Sequence, residues 1–539
     1  RVKTVITVNP DKIDSKSSEI MKDILSAALL KGGKLDDSIQ LKFVALVQSF
    51  YKNNDYHKVW SKNERWQPLA DSLLHFIENA ALYGLFPQHY HYKNLVEIKN
   101  NIQRDSLNKN KEELWSKADI LFTDGFMHIV NDLKIGRLSS DSVTLKSDTV
   151  LANNFINTAL KTLLENGGLT GQLQSYEPRI NGYVALKGAI KNFIDSMDTR
   201  VYTYVKYPYK QGDEADSMLF IKTLQKRLAE SKCMELQKKL PDSAAIAEGI
   251  INYQQLKKLK PDGKISSSLI KLMNINDVER FKRIAITLDR YKQIADTLPV
   301  AYIWVNLPSF FMQVWDHDTV ALESKIICGK PATRTPLLNS TITDMVIYPT
   351  WTVPNSIITK QLLPKLKNNP NHLARLGLKL VDSKGRQINT ATVNWSKYTK
   401  GIPYKVMQNS GDNNSLGVMK FNFNNKYSVY LHDTNQRYFF KNASRALSHG
   451  CVRVQDWKKL ACYIANVDSI NAKAGDSLLY NTDSLNTWLA LKKYRKVDVK
   501  NKLPLFIRYF TCAGVNGKIK FYDDIYGEDK ALREKYFSD

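Results

Sequence analysis

No apolar run in this chain approaches the ~18–20 residues that span a bilayer, and its longest buried-looking stretches, such as 300-VAYIWV-305, are the length of one strand. It reads as a soluble protein. It begins with Arg1 and not Met, which leaves room for a removed export signal or anchor. The five cysteines, Cys233, Cys328, Cys451, Cys462 and Cys512, form no CxxC pair and show no metal-ligand spacing, which argues against a zinc site. Their odd number excludes complete disulfide pairing within the chain. There is no G-x-S-x-G, P-loop, H-E-x-x-H or G-x-G-x-x-G, so the common signatures of serine hydrolases, NTPases, zincins and dinucleotide binders are missing. Acidic residues are few beside basic ones, 53 against 78, for a net charge of +25 that suits polyanionic surroundings. The lysines are spread along the whole chain and no zinc-finger or RNP-like signature accompanies them, so no nucleic-acid partner is expected.

What is present is a large globular chain. Its 539 residues, 43% of them hydrophobic, exceed one core and predict about two to four domains. Residues 1–215 read as a helical domain. In 69-LADSLLHFIENAALYGL-85, Leu69, Leu73, Phe76, Ile77 and Ala80 recur on one face and Gly84 and Pro87 mark the exit; stretches near 112–134, 152–165 and 183–197 look similar. The pair in 89-HYH-91 has no third ligand nearby, and no metal is expected there. Residues 216–276 read as a small three-helix unit: 218-MLFIKTLQKRLAES-231, 245-AIAEGIINYQQLKKL-259, the turn 261-PDG-263, and 266-SSSLIKLM-273 with serines to cap it. Ser268 and Lys271 make an S-x-x-K match there, without a following K-T-G, and chance accounts for it. Residues 277–298 form a linking amphipathic helix with Val278, Phe281, Ile284, Ala285 and Leu288 along one face. From 299 to 539 the texture is mostly β, as in 300-VAYIWVNL-307 and 311-FMQVWDHDTVALESKIIC-328, with a hairpin turn at Asp316 to Asp318. The lysine-rich stretch 355–403 lacks strand periodicity. It is predicted to be a mobile covering insertion, with Leu362, Leu363, Leu366, Leu373 and Leu376 at partly helical spacing.

The chemistry concentrates in 445-RALSHGCVRV-454, read together with 426-KYSVYLHD-433. In an extended strand Val429 and Leu431 share the core face, and Tyr430 and His432 are offered to a cleft. A cysteine on a neighbouring strand would meet the imidazole, which can generate the thiolate and return the proton to a leaving amine. Gly450 allows close backbone approach, so amides around Cys451 could donate to an oxyanion. Arg453 could hold the thiolate or a substrate carboxylate. His449 sits two residues from Cys451, where extended Cα atoms are roughly 6.5–7 Å apart, so His432 is the predicted base. From pattern alone, Cys451 is either a nucleophile or a small core residue.

The run 448-SHGCVRV-454, preceded by 430-YLHD-433, resembles the signature of the L,D-transpeptidase catalytic domain, the YkuD domain. The segments 304-WVNLPSF-310, 329-GKPATRTP-336, 348-YPTWTVP-354 and 416-LGVMKFNF-423 match in the same order. Upstream, 56-YHKVWSKN-63, 80-AALYGLFPQHY-90 and 118-ADILFTDGFMHIVNDLKIGRL-138 resemble the helical domain of the large, scaffold-bearing YcbB-type members. Residues 218–273 resemble their peptidoglycan-binding-like module, and 503-LPLFIRYFTC-512 with 521-FYDDIYG-527 their closing strand and tail. The insertion 355–403 matches their capping insertion by position.

The resemblance implies an α+β multidomain fold: helical scaffold, small module, linking helix, and a mostly β catalytic domain with a capping insertion. It implies Cys451 as nucleophile and His432 as base, with the Asp433 carbonyl orienting the imidazole. Gly450, Cys451 and Tyr430 would border the oxyanion site, Arg453 would support the loop, and Ser448, His449 and Trp351 would support the site or contact substrate. The implied reaction is acyl transfer on peptidoglycan stem peptides in the periplasm. A thioester forms at the third residue of a donor tetrapeptide with loss of D-alanine, and an acceptor amine resolves it into a 3→3 cross-link. Carbapenem-type inhibitors would acylate the thiol, no cofactor or metal is called for, and a segment absent from this chain could tether it to a membrane. Two alternatives stay open: an L,D-carboxypeptidase or D-amino-acid exchange enzyme using the same site, and a non-catalytic wall-binding scaffold protein.

Overall fold

The helix Glu112–Lys134 organises the N-terminal half, because Ile120, Leu121, Phe122, Phe126, Met127, Ile129, Val130 and Leu133 leave it no polar side, and all are buried. Such a helix has to be covered on every face. The helices Pro10–Leu30, Val44–Lys52, Tyr92–Arg104 and Asn153–Asn166 pack against it. This computed structural model describes residues 10–104, 112–141, 143–145, 153–207, 214–236, 240–295, 297–472 and 480–537. The helix's buried carboxylates need partners and pin the loops around it. Asp119 accepts from the Tyr51 hydroxyl at 2.6 Å and from the Val59 and Trp60 N–H groups at 2.9 and 3.0 Å. Asp124 pairs with His91 Nε2 at 2.8 Å, and Asp132 accepts from the Tyr90 hydroxyl at 2.8 Å. Two residues of the HYH run thus serve as structural pins.

The small unit consists of helices Glu214–Glu230, Ser243–Leu256 and Ser267–Asn274 around Phe220, Leu224, Leu228, Ile246, Ile250, Tyr253, Leu269, Ile270 and Met273. Ser266 caps the last helix through Leu269 N–H at 3.2 Å. The Gln254 side chain staples the PDG turn, accepting from the Asp262 and Gly263 N–H groups at 2.9 and 3.0 Å. The unit extends beyond 216–276: Val205 is wholly buried in its core and exchanges both backbone hydrogen bonds with the Asn274 side chain, at 2.9 and 2.7 Å.

The helix Asp277–Lys292 departs from the one-faced pattern expected of it. Every residue from Phe281 to Asp289 is buried, charged ones included, because the helix runs through the junction between the halves. Lys292 donates to the Asp132 carbonyl at 2.8 Å and to Asp289 at 2.9 Å, and Arg290 pairs with Asp529 at 2.7 Å. Beyond Arg508 the chain serves both cores: Tyr509 and Tyr526 stay buried in the β core, whereas Phe510, Cys512 and Phe537 pack with Phe86, Tyr183, Leu186 and Phe281 at this junction.

The β core is a sheet whose strand path closes on itself. Met419–Phe423, Leu431–His432, Val452–Val454, Thr319–Gly329, Phe311–Asp316, Ala301–Asn306, Pro504–Arg508 and Leu338–Ile347 follow in that order, and the last pairs back onto the first. Closure leaves few free edges. The hairpin turn lies where expected, with His317 and Asp318 both at positive φ, 46° and 60°. Two helices not anticipated from the β texture, Trp457–Ile470 and Thr482–Leu491, flank this core.

The insertion has its own core and its own sheet, ordered Trp351–Thr352, Lys405–Gln408, Leu378–Val381, Gln387–Ile388. It therefore reaches beyond 355–403 on both sides. Leu362, Leu363, Leu366 and Leu373 are buried in it with Val353, Trp395 and Val406, whereas Leu376 is 46% exposed. No helix of the described residues is long and apolar enough to cross a membrane.

Candidate active site

Three adjacent strands build the site. Met419–Phe423 pairs antiparallel with Leu431–His432 in the register Lys420↔His432 and Phe421↔Leu431. The latter pairs parallel with Val452–Val454 in the register Leu431↔Val452 and His432↔Arg453. Phe421, Leu431 and Val452 point into the core, at 1% exposure or less. Side chains alternate along strands, so Lys420, His432 and Arg453 share the opposite face, extended by Tyr430 and Cys451 two residues before His432 and Arg453. A bond from Val452 N–H to the Tyr430 carbonyl, 3.1 Å, sets Tyr430 beside Cys451.

The direct neighbour of Cys451 is therefore Tyr430, and that of His432 is Arg453. The imidazole, expected across from the thiol and open to the cleft, lies one position further on and is buried, 4% exposed, its ring edge-on to Tyr430 with centroids 5.5 Å apart. Burial, the Arg453 charge and the Lys420 charge push its pKa down to about 3, against the carbonyls of Asp433 and Leu416, which act the other way. Its Nδ1 completes no hydrogen bond. Burial likewise raises the Cys451 thiol. Tyr430, through its backbone and its hydroxyl, and then Lys420 and Arg453 favour the thiolate. Thiol and imidazole are thus both neutral at rest. Tyr430 itself titrates far above a normal phenol, chiefly from burial, and keeps its hydroxyl proton as a donor.

The turn before Cys451 is braced from behind. Gly450 has φ 123°, a conformation that strains any residue with a Cβ, and its carbonyl accepts from the Thr335 hydroxyl at 2.8 Å. Ser448 is buried, its hydroxyl donating to the Cys451 carbonyl at 2.6 Å and accepting from Gly450 N–H at 3.2 Å. Its role is bracing. Among the described residues nothing accepts from the Cys451 N–H, which stays available to an oxyanion. Arg445 ties the run to the barrel, donating to the Ile326 and Phe310 carbonyls at 3.0 and 2.9 Å.

The Asp433 carboxylate is wholly buried and accepts from Arg437 at 2.6 and 3.0 Å and from Val418 N–H at 3.1 Å, which holds the strand carrying Lys420 against the one carrying His432. Arg453 touches Gln436 at 3.3 Å and keeps an enclosed Nε without a partner. His449 points outward and hydrogen-bonds Gln361 of the insertion. Trp351, at the root of the insertion, has its enclosed indole N–H turned toward Tyr430 without completing a bond. Sequence reasoning missed Lys420, Gln361 and Thr335. The alternation in 419-MKFNF-423, with Met419, Phe421 and Phe423 inside, was the signal available for Lys420.

Comparison with known proteins agrees with this architecture. Residues 45–190 match the family model described as a scaffold domain, and residues 300–471 that of the L,D-transpeptidase catalytic domain, YkuD. A relative from Haemophilus influenzae, named "Putative L,D-transpeptidase", is 35% identical over 230 residues, which are 43% of this chain and 45% of that protein. The chain thus spans less than half the length of that relative. Among solved structures, the Ldtfm–avibactam carbamoyl enzyme shares 13% identity at a TM-score of 0.19, over 44% of this chain and 64% of the other. An L,D-transpeptidase from Mycobacterium smegmatis shares 12% at 0.19, over 39% and 58%. The chain carries an L,D-transpeptidase catalytic domain behind a helical scaffold domain.

Proposed function

We propose that this protein is a cysteine-dependent L,D-transpeptidase that forms 3→3 cross-links between peptidoglycan stem peptides. The observation that carries the reading is the convergence of Cys451, Tyr430, His432 and Arg453 on one sheet face, within the segment that matches the catalytic domain. In this scheme the Cys451 proton passes to His432 as Sγ attacks the carbonyl carbon of the third donor residue. The oxyanion is met by the Tyr430 hydroxyl and the Cys451 N–H. Its collapse expels the amine of D-alanine, which takes the proton from the imidazolium and leaves a thioester. The side-chain amine of an acceptor stem then attacks, giving its proton to His432, and the thiol is released. No cofactor enters.

Such substrates put the proposed reaction in the cell envelope, facing the periplasm. The insertion acts as a cap that keeps water from the thioester. The small unit is read as peptidoglycan-binding-like. The test is incubation with purified tetrapeptide stems followed by mass spectrometry. A cross-linked dimer with loss of D-alanine supports the reading. Tripeptide alone, or product carrying an added D-amino acid, assigns carboxypeptidase or exchange activity. Sacculus binding that survives Cys451→Ala, with no product from the unaltered protein, assigns a wall-binding scaffold.

A further inference from the structure

Lys420 is a cation on the reactive face that the scheme above does not use. Its ammonium lies 4.2 Å from the centroid of the Tyr430 ring, and its strand position is directly opposite His432. It is half-buried and has no hydrogen-bond or ion-pair partner among the described residues. The carboxylate whose charge bears on it, Asp344, is already engaged by Asn422 at 2.6 Å and approached by Lys496 at 3.9 Å. A half-buried ammonium gives up water, and that cost has to be offset by negative charge present permanently or during turnover. The electron-rich face of a phenol supplies part of it. The remainder points to the thiol next to that phenol.

We propose that Lys420 is a positioning residue for Cys451: seated on the Tyr430 ring, it favours the thiolate and the oxyanion that follows by strengthening the Tyr430 hydroxyl as a donor. Lys420 forms no bond and keeps its proton throughout. The inference rests on Cys451 being the nucleophile. Burial lowers the lysine's own pKa, with Cys451 and Asp344 acting to raise it, which agrees with an attraction between the two side chains. The other titratable groups around the thiol are Tyr430 and His432 from the next strand, Arg453 from its own strand and His449 from its own turn; Lys330 and Arg453 bear on His449. Of the lysines and arginines around the thiol, Lys420 is the one over the Tyr430 ring, 4.2 Å from its centroid.

The test is the pH profile of iodoacetamide alkylation at Cys451, read by peptide mass spectrometry on the full protein. Lys420→Met keeps the reach and removes the charge. It is expected to move the profile upward by about half a unit or more, as loss of a nearby opposite charge does, and Lys420→Arg to restore it. In a Tyr430→Phe background the effect of Lys420→Met should shrink, because the hydroxyl through which it acts is gone. If Lys420→Met fails to fold by circular dichroism, Lys420→Gln is read the same way. A folded, uncharged variant with an unmoved profile overturns the inference. A Cys451 that resists alkylation in the unaltered protein instead overturns the nucleophile assignment, so the two failures are distinct.

Discussion

Gln361 and His449 hydrogen-bond each other across the seam between insertion and barrel, two residues before Cys451. Gln361 sits on the π-helical turn Ile358–Leu362, a local widening of the helix of a kind often found at functional sites. Replacing Gln361 with Ala should weaken acylation by stem peptide several-fold and leave iodoacetamide alkylation of Cys451 nearly unchanged, because only the peptide needs the cap in place. Equal losses with both reagents would move the role of Gln361 from the cap to the thiol.

Excision of the insertion should spare the barrel, since the two have separate cores. The cut belongs outside Trp351 and Gln408, because removal of 355–403 alone would strand Val353 and Val406 in water. Circular dichroism checks the fold and peptide acylation the function. Unchanged peptide kinetics in a folded deletion would remove the cap.

His432→Ala should lower acylation by about 10²-fold or more, the usual worth of a positioned base. His449→Ala should cost no more than the several-fold expected of Gln361→Ala, since that ring faces outward to Gln361 and its loss breaks the same bond. Stopped-flow acylation of both variants decides it, and the opposite outcome exchanges the roles.

The pH dependence follows from the neutral resting pair. The imidazole is protonated only below about 3, so it does not lose its base form between mild acid and neutrality, while the thiol, raised by burial, yields more thiolate with every step in pH. Acylation measured by intact mass should therefore climb from about pH 5 to 9 with no inflection near 6.5, the ordinary histidine value. A clear break at 6.5 would mean a hydrated imidazole.

A carbapenem should add once per chain, at Cys451. Cys233, Cys328 and Cys512 are buried, and burial raises the last two thiols to about 12. Cys451→Ala should show no adduct in the same intact-mass assay under reducing conditions.

Gly514→Ala tests the junction. A Cβ there would fall 2.0 Å from the Ala185 carbonyl oxygen, so the helix Asn181–Asp195 would have to move away from the hairpin formed by Cys512–Val515 and Lys518–Phe521. Overpacking of this kind costs about 1–3 kcal/mol. A lower thermal midpoint with near-normal Cys451 alkylation is expected, and an unchanged midpoint would show that the tail can yield.

Periodicity alone located the helices Pro68–Glu78, Glu112–Lys134 and Ser243–Leu256 and the strands Ala301–Asn306 and Phe311–Asp316, and alternation put Val429 and Leu431 inside. These are local properties: a side chain's face is set by its own backbone, whatever packs against it. The motif 448-SHGCVRV-454 and its resemblance likewise needed only adjacent residues. Which strands lie side by side, and in what register, depends on partners far apart in the chain, and short strands such as Leu431–His432 carry too little pattern to choose between registers. The face on which Tyr430, His432 and Cys451 could act, and the residues able to do acyl-transfer chemistry, were therefore legible from the chain alone. That Tyr430 is the neighbour of the thiol, that Lys420 joins the same face, that Leu376 is exposed and that a charged helix is buried at the junction came from folding. Each of those depends on burial and pairing that no local segment encodes.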